Sequence, residues 1–434
     1  MKIFNQEQVN ENWDQLPDQK SSRSLAVYIH IPYCLQKCLY CDFYSIPLKG
    51  QKPQLYVETV LCELESYLKY FQEQEGKVPR LTSLFIGGGT PTCLPSEMLV
   101  KLIGDCLKAF DTRENIEVTV EANPGTIDGD LLAALKAIGV NRLSLGVQTL
   151  DPYLLKKIGR IHTAEQAGQA VELARGKGFE NINLDLIYGL PDQTLEIWQS
   201  TVERVLTFNP EHLSAYSLKV ETGTPFFQLQ QSGKLNLPDE DLEADMFDWL
   251  VERVADQGYQ HYEISNFAKP GCQSMHNQVY WRNQEYLGLG PSAHSCLWGV
   301  TPAQVWAGEK LHTGEFLNGA IPNQISKQPV RFGNWSDLDK YLQLVTKFRS
   351  PVGFTEVITP AVEKAETMFL GLRLMAGVSK REFKQRFGET VEQVYPGVVE
   401  RLIQKRLLWE NKDFIALSPR AILIANQVFQ EFLP

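Results

Sequence analysis

The chain has 434 residues, 43% of them hydrophobic and 22% charged, with a formal net charge of −10. That length holds two or three domains with ample core, and the acidic balance argues against a broad nucleic-acid surface, which needs a basic face. No run approaches the roughly 20 apolar residues of a membrane span. Residues 1–22 form a polar leader without the apolar core of a signal peptide or the Arg-rich, acid-poor make-up of a transit peptide, so a cytoplasmic location is expected.

In chain order, residues 25–31 read as a short apolar strand. Directly after it come Cys34, Cys38 and Cys41, spaced C-x3-C-x2-C. Residues 54–71 carry helical apolar spacing, and 81–86 read as a buried strand that runs into Gly87-Gly88-Gly89-Thr90-Pro91-Thr92. A helix is expected from Pro95 to about residue 110, with proline at its first turn. The unit then repeats, with strands at 116–122, 142–147, 182–187 and 212–218 and helices at 128–138, 151–158, 164–177 and 195–206. Such alternation predicts parallel βαβ units in an α/β fold. Six units fall short of the eight of a closed barrel, so an open (β/α)6 sheet, a partial barrel, is expected.

The pattern loosens after residue 225. An acidic amphipathic helix covers 237–257, and a short strand at 259–264 is expected to extend the sheet. Residues 298–333 are rich in Pro, Gly and Asn and read as an irregular excursion; 335–348 is helical. From about 360 a separate small module is expected. It has helices at 361–375, 380–387 and 390–405, a hairpin at 407–409 and 414–417, and a last helix at 419–432. That is a winged-helix-like arrangement, and its near balance of Lys/Arg against Asp/Glu favours a structural or protein-docking role over DNA binding. The expected domains are therefore 1–22, 23–224, 225–350 and 351–434.

The eight cysteines do not form a disulfide framework. Cys62, Cys93, Cys106, Cys272 and Cys296 are scattered and read as packing residues. Cys34, Cys38 and Cys41 are soft thiolate donors suited to zinc or an iron–sulfur cluster. A closed zinc site needs a fourth ligand, for which His30 is the candidate. A four-iron cluster on three cysteines keeps one iron open. The glycine run lets a ligand approach the backbone closely and matches no phosphate-loop pattern. Glu121 can meet an amine, Arg160 a carboxylate through its fork, and Asp185 a pair of ribose hydroxyls. The cysteine loop, Gly87 to Thr92, Glu121 to Pro124, Gln148, Asp185 and Lys219 fall at or near the C-terminal ends of successive strands, the edge where parallel α/β folds bind ligands.

Together these motifs resemble the radical S-adenosylmethionine superfamily, and within it the coproporphyrinogen dehydrogenase-like group. The carriers are His30-Ile-Pro-Tyr-Cys34, Gly87 to Thr92, Gly146-Val-Gln148 and Asp185-Leu-Ile-Tyr-Gly-Leu-Pro191. Two features divide that group. The dehydrogenase branch resembles C-x3-C-x2-C-x-C, where this chain has Phe43. The haem-chaperone branch, HemW, is similar in His-Asn-x-x-Tyr-Trp, which His276-Asn277-Gln278-Val279-Tyr280-Trp281 fits.

The resemblance implies a [4Fe-4S] cluster on Cys34, Cys38 and Cys41, with its open iron chelating S-adenosylmethionine. Tyr28 lies beside cluster and cofactor; Gly88, Gly89 and Thr90 meet the methionyl end; Glu121 meets its amine and Arg160 its carboxylate. Gln148 and Asp185 face the ribose, and Tyr40 and Ile187 border the adenine. Lys219 stands where the dehydrogenase branch has a small residue. For haem the motif residue is His276, with a packing motif as the other reading. The implied function is a haem chaperone, with haem and an acceptor protein as partners and no nucleic acid. Transient contact with a membrane protein is compatible with it. The rivals are oxygen-independent coproporphyrinogen III dehydrogenase and a zinc-stabilised adaptor.

Overall fold

The computed structural model describes residues 23–306 and 328–434. The polar leader and residues 307–327 lie outside the described residues. At the centre is a twelve-stranded sheet. Its parallel heart runs β1 (Ser24–Ile31), β2 (Arg80–Gly88), β3 (Asp111–Ala122), β4 (Arg142–Gln148), β5 (Asn181–Tyr188) and β6 (His212–Ser217) in chain order across the sheet. The expected open (β/α)6 arrangement is thus present and does not close.

The helices between these strands are amphipathic with one buried stripe. In α1 (Pro53–Glu75), Tyr56, Val57, Val60, Leu64, Tyr67 and Phe71 recur at helical spacing and are all buried. The aliphatic and Phe side chains among them each contribute roughly 1.5–3 kcal/mol when fully buried. Proline opens the helix and Gly76 ends it in the left-handed conformation. Following it are α2 (Ser96–Ala109), α3 (Gly129–Ala137), α4 (Pro152–Lys157), α5 (Ala164–Gly176) and α6 (Leu195–Thr207).

The sheet is wider than the sequence reading. On the β6 side, β7 (Gln260–Glu263) and β8 (Asn266–Ala268) add antiparallel strands. On the β1 side, β9 (Tyr286–Leu289) pairs parallel with β1. Then β10 (His294–Trp298), β11 (Pro329–Asn334) and β12 (Val352–Val357) continue antiparallel. The expected irregular excursion over 298–333 is therefore corrected at both ends: Trp298 and residues 329–334 are sheet. Proline and glycine within the β11 stretch mask its strand character, yet the Pro329 end pairs with Trp298 and Gly333 lies opposite His294.

Glu63 of α1 fastens this extension. Its buried carboxylate accepts from Gly290 N (2.9 Å), Asn334 Nδ2 (2.7 Å) and Tyr341 Oη (2.7 Å). Beyond the sheet, the C-terminal module has its own core, including Met368, Phe383, Leu402, Ile415 and Phe432. Its three-stranded sheet comprises Val378–Ser379, Leu408–Glu410 and Phe414–Leu417. The single helix expected over 390–405 is two, Val391–Val394 and Val398–Gln404, because Pro396 and the left-handed Gly397 interrupt it. The last expected helix is likewise cut into 3-10 and α pieces.

Candidate cofactor site at the strand ends

The cysteine loop leaves β1 and is stapled at both ends. Tyr33–Cys34 pairs with Ile46–Pro47, and Ile46 N donates to Pro32 O while Leu48 N donates to Cys34 O. The glycine loop after β2 lies directly against it. Gly89 N donates to Ile31 O and Thr90 N to Tyr33 O. A Cβ on Gly89 would stand 2.5 Å from Tyr33 O and 3.0 Å from Cys34 Sγ, so only glycine permits the two loops to touch. Gly88 has φ +111°, the left-handed side.

Each thiol has its own neighbour. Cys34 Sγ is 3.7 Å from Thr90 Oγ1, and Arg160 Nη1 donates to Cys38 Sγ at 3.4 Å. Burial pushes the Cys41 thiol up to about 11. Among the described residues no three His, Cys, Asp or Glu side chains already converge on one point; the loop gathers the thiols on one rim. As a donor set, three thiolates within eight residues suit an iron–sulfur cluster. His30, the candidate fourth zinc ligand, has both ring nitrogens engaged, by Tyr28 Oη and Tyr44 O, each at 2.9 Å. The same contact places Tyr28 beside the cysteine loop's root.

Arg160 is the hub of the neighbouring polar group. Its Nη2 donates to Asn123 Oδ1 and Gly146 O. Its Nε is buried with no partner among the described residues, a donor held ready for a polar ligand. A Cβ on Gly146 would come 2.8 Å from Nη2. Next to it a bulge between Gly146 and Gln148 breaks the β4–β5 register, and Gln148 takes φ +66°; bulges re-aim side chains in this way. Glu121 accepts from Gly88 N at 3.1 Å. Burial first, and then the charge of Asp185, push its carboxyl up to about 8. Asp185 is itself raised by burial, against hydrogen bonds from Ser214, Asn183 and Ser144.

Tyr40 and Ile187 meet in one small apolar cluster with Leu154, Ile158 and Phe226, the Tyr40 ring centred 6.4 Å from Phe226. Lys219 lies exposed just past β6.

Family models match the Radical SAM superfamily over residues 28–205 and the HemN C-terminal domain over 358–424. The "Heme chaperone HemW" of Lactococcus lactis is 36% identical over 94% of this chain and 97% of its own length. That of Bacillus subtilis is 37% identical over 94% and 99%. The chain belongs to the HemW family. Mouse "Radical S-adenosyl methionine domain-containing protein 1, mitochondrial" is 37% identical over 96% of this chain and 89% of that one. In structure, Escherichia coli coproporphyrinogen III oxidase (HemN) matches with a TM-score of 0.76 over 95% of this chain and 90% of that one, at 23% identity, which is a likeness of fold. Membership of the radical S-adenosylmethionine superfamily implies a [4Fe-4S] cluster and S-adenosylmethionine.

Two features of this HemW-family chain are sharpened by the fold. Phe43 is 64% exposed at the rim of the cysteine loop. His276 lies buried on α7 (Met275–Trp281). Its Nδ1 meets Ser83 Oγ and its Nε2 meets Tyr280 Oη, both at 2.9 Å, and its ring stacks on Phe85 at 5.1 Å. Burial, aided by Arg142, drives its pKa down to about 3. Both ring nitrogens are thus hydrogen-bonded to hydroxyl groups, and an iron would have to displace Ser83 or Tyr280 to be ligated here. Glu117 on β3 secures the same helix by accepting from the amides of Met275 and His276.

The sequence reading missed Asn123, whose Nδ2 donates to Thr90 Oγ1 at 2.8 Å while its Oδ1 holds Arg160. Its place two residues after Glu121 was the available signal. It also missed the support of Asp185, in which Asn183 donates to Ser144 and Asp185 and also meets Ser214 and His212. No local pattern announces residues that meet across three strands.

Proposed function

We propose that this chain is a haem chaperone that holds a [4Fe-4S] cluster and S-adenosylmethionine at the strand ends and passes haem to an acceptor protein. The observation that carries the reading is the near full-length kinship with proteins named as haem chaperones. Phe43, where the dehydrogenase branch resembles a fourth cysteine, agrees with it.

Cys34, Cys38 and Cys41 would ligate the cluster. When bound, the cluster supplies an open iron that anchors an amine and a carboxylate. Glu121 then faces the amine and Arg160 the carboxylate, with Asn123 fixing the guanidinium. Gly88, Gly89 and Thr90 give the close backbone approach, and Gln148 and Asp185 take the ribose side. Tyr40 and Ile187 form the apolar wall for the adenine, Tyr28 stands at the cluster's root, and Lys219 lies at the rim. In this reading residues 23–224 carry the cofactor, 225–350 the haem-handling extension and 351–434 the docking module. No described helix is long and apolar enough to cross a membrane; a cytoplasmic chain reaching a membrane-bound acceptor only transiently is consistent with that.

The test is anaerobic reconstitution, iron and sulfide analysis, then haem titration of the same sample. Cluster iron near four per chain and a new Soret band are expected. A reconstituted protein with no Soret change overturns the reading, and so does anaerobic turnover of coproporphyrinogen III to protoporphyrinogen.

A further inference from the structure

Outside the strand-end site there is a cavity of about 260 Å³ between strands β9–β11 and the helix Pro360–Gly371 of the C-terminal module. Tyr280, Tyr286, Cys296, Arg331, Glu366 and Phe369 line it, and it opens to solvent on one side. We propose that this cavity is where the chain holds haem, with the Cys296 thiolate as the axial ligand. The proposal deepens the haem-chaperone reading and rests on it.

Three observations converge. The first is iron chemistry. Cysteine thiolate and tyrosine are both established kinds of haem ligand, and Cys296, Tyr286 and Tyr280 sit in one wall. Tyr280 Oη is hydrogen-bonded to His276, whose other nitrogen meets Ser83 Oγ, whereas Cys296 carries no such bond to displace among the described residues. Cys296 is buried on β10 and lines the cavity. Burial keeps it a protonated thiol at neutral pH, pushed up to about 12 against the pull of Arg331. Ligation therefore breaks the S–H bond, releases the proton to solvent and forms an S–Fe bond in place of a solvent ligand. No electron is transferred.

The second is shape. Tyr280 and Tyr286 meet edge to face with centroids 4.7 Å apart, and Phe369 stands on the helix side, so the walls are aromatic and suited to a flat macrocycle. The third is size. Pockets that enclose a small ligand run from roughly 300 to 1,000 Å³, so this one seats part of a tetrapyrrole and leaves an edge outside. An exposed edge is what an acceptor protein needs to grasp. Arg331, held on Glu366 through two bonds of 2.7 and 2.8 Å, makes the remaining part of the lining polar.

This geometry also gives the His-Asn-x-x-Tyr-Trp segment a task other than ligation. His276 positions Tyr280 in the cavity wall, and the next residue, Trp281, packs under Arg373 of the C-terminal module at 4.3 Å.

The experiment titrates ferric haem into the anaerobically reconstituted full-length protein and follows the Soret band and the low-spin electron paramagnetic resonance spectrum. Wild type, Cys296→Ala, Phe369→Glu and His294→Ala are compared at equal iron content and equal circular dichroism. The expected result is a thiolate-type spectrum in wild type and in His294→Ala. Cys296→Ala loses that spectrum, and Cys296→Ala and Phe369→Glu each weaken binding at least tenfold. If Cys296→Ala fails to fold, the near-isosteric Cys296→Ser replaces it. Unchanged spectrum and affinity in the cysteine variant, with wild type still binding, overturns the site and leaves the chaperone reading standing. Absence of binding in wild type overturns both.

Discussion

Glu121 shows how one residue can link the fold to ligand chemistry. Its carboxyl is raised from 4.5 to about 8 by burial and by Asp185, so at neutral pH it is mostly protonated in the free chain. The folded chain then holds a proton that the unfolded chain loses above about pH 4.5. The stability this contributes is full below that pH and is lost as pH rises through about 8. An amine ligated to the open iron has given up its ammonium proton and donates its remaining N–H to Glu121, which favours the carboxylate. S-adenosylmethionine binding at pH 7 should therefore release protons from both the amine and Glu121, with affinity rising up to about pH 8. Calorimetry in two buffers of different ionisation enthalpy reads this directly, and Glu121→Gln should lower the release by nearly one proton. Asn123 acts at the same scale through geometry. Asn123→Ala removes the support of both Thr90 and Arg160. At about 1 kcal/mol for each hydrogen bond, cofactor affinity should fall roughly tenfold or more, with cluster iron unchanged in the same sample.

At the scale of elements, the loops and helices are joined by a few buried polar knots. Glu63 ties α1 to Gly290, Asn334 and Tyr341. Glu63→Ala strands three buried donors and should cost about 3 kcal/mol or more, read as a lower urea midpoint at unchanged slope. The glycine loop is tied to the cysteine loop by steric need. In Gly89→Ala the new methyl meets the Tyr33 carbonyl, which is backbone and cannot swing aside. Reconstitution of that variant should recover well under half the wild-type cluster iron while the far-ultraviolet circular dichroism stays native-like.

For the molecule as a whole, the twelve-stranded sheet places β1 deep in its interior, between β2 and β9. Most of β1 is fully buried, whereas β12 forms an exposed edge with Phe354 and Val357 outward. Local opening follows such differences in burial and pairing. Hydrogen exchange should therefore be slowest in residues 24–31 and fastest, within the sheet, in residues 352–357. Equal protection of the two would contradict this architecture.

Much was legible beforehand because it is local. Strand–helix alternation, the cysteine spacing, the glycine run and the chain-ordered parallel strands each leave a mark within a dozen residues. The polar residues at successive strand ends could be assigned to one edge because parallel connections force it. What lay hidden depends on contact across the chain. Asn123 acquires its role only when Thr90 and Arg160 arrive beside it. β11 becomes a strand because partners on both sides satisfy a segment whose own composition is poor in strand formers. The His276 motif was readable as a motif, yet whether its imidazole was free turned on Ser83, distant in sequence, and on the stacked Phe85. By itself, then, the sequence determined the family, the thiol donor set and the open parallel scaffold. Only the tertiary structure decided which polar groups are spent on the protein itself and which remain available, because hydrogen-bond occupancy is settled by neighbours in space.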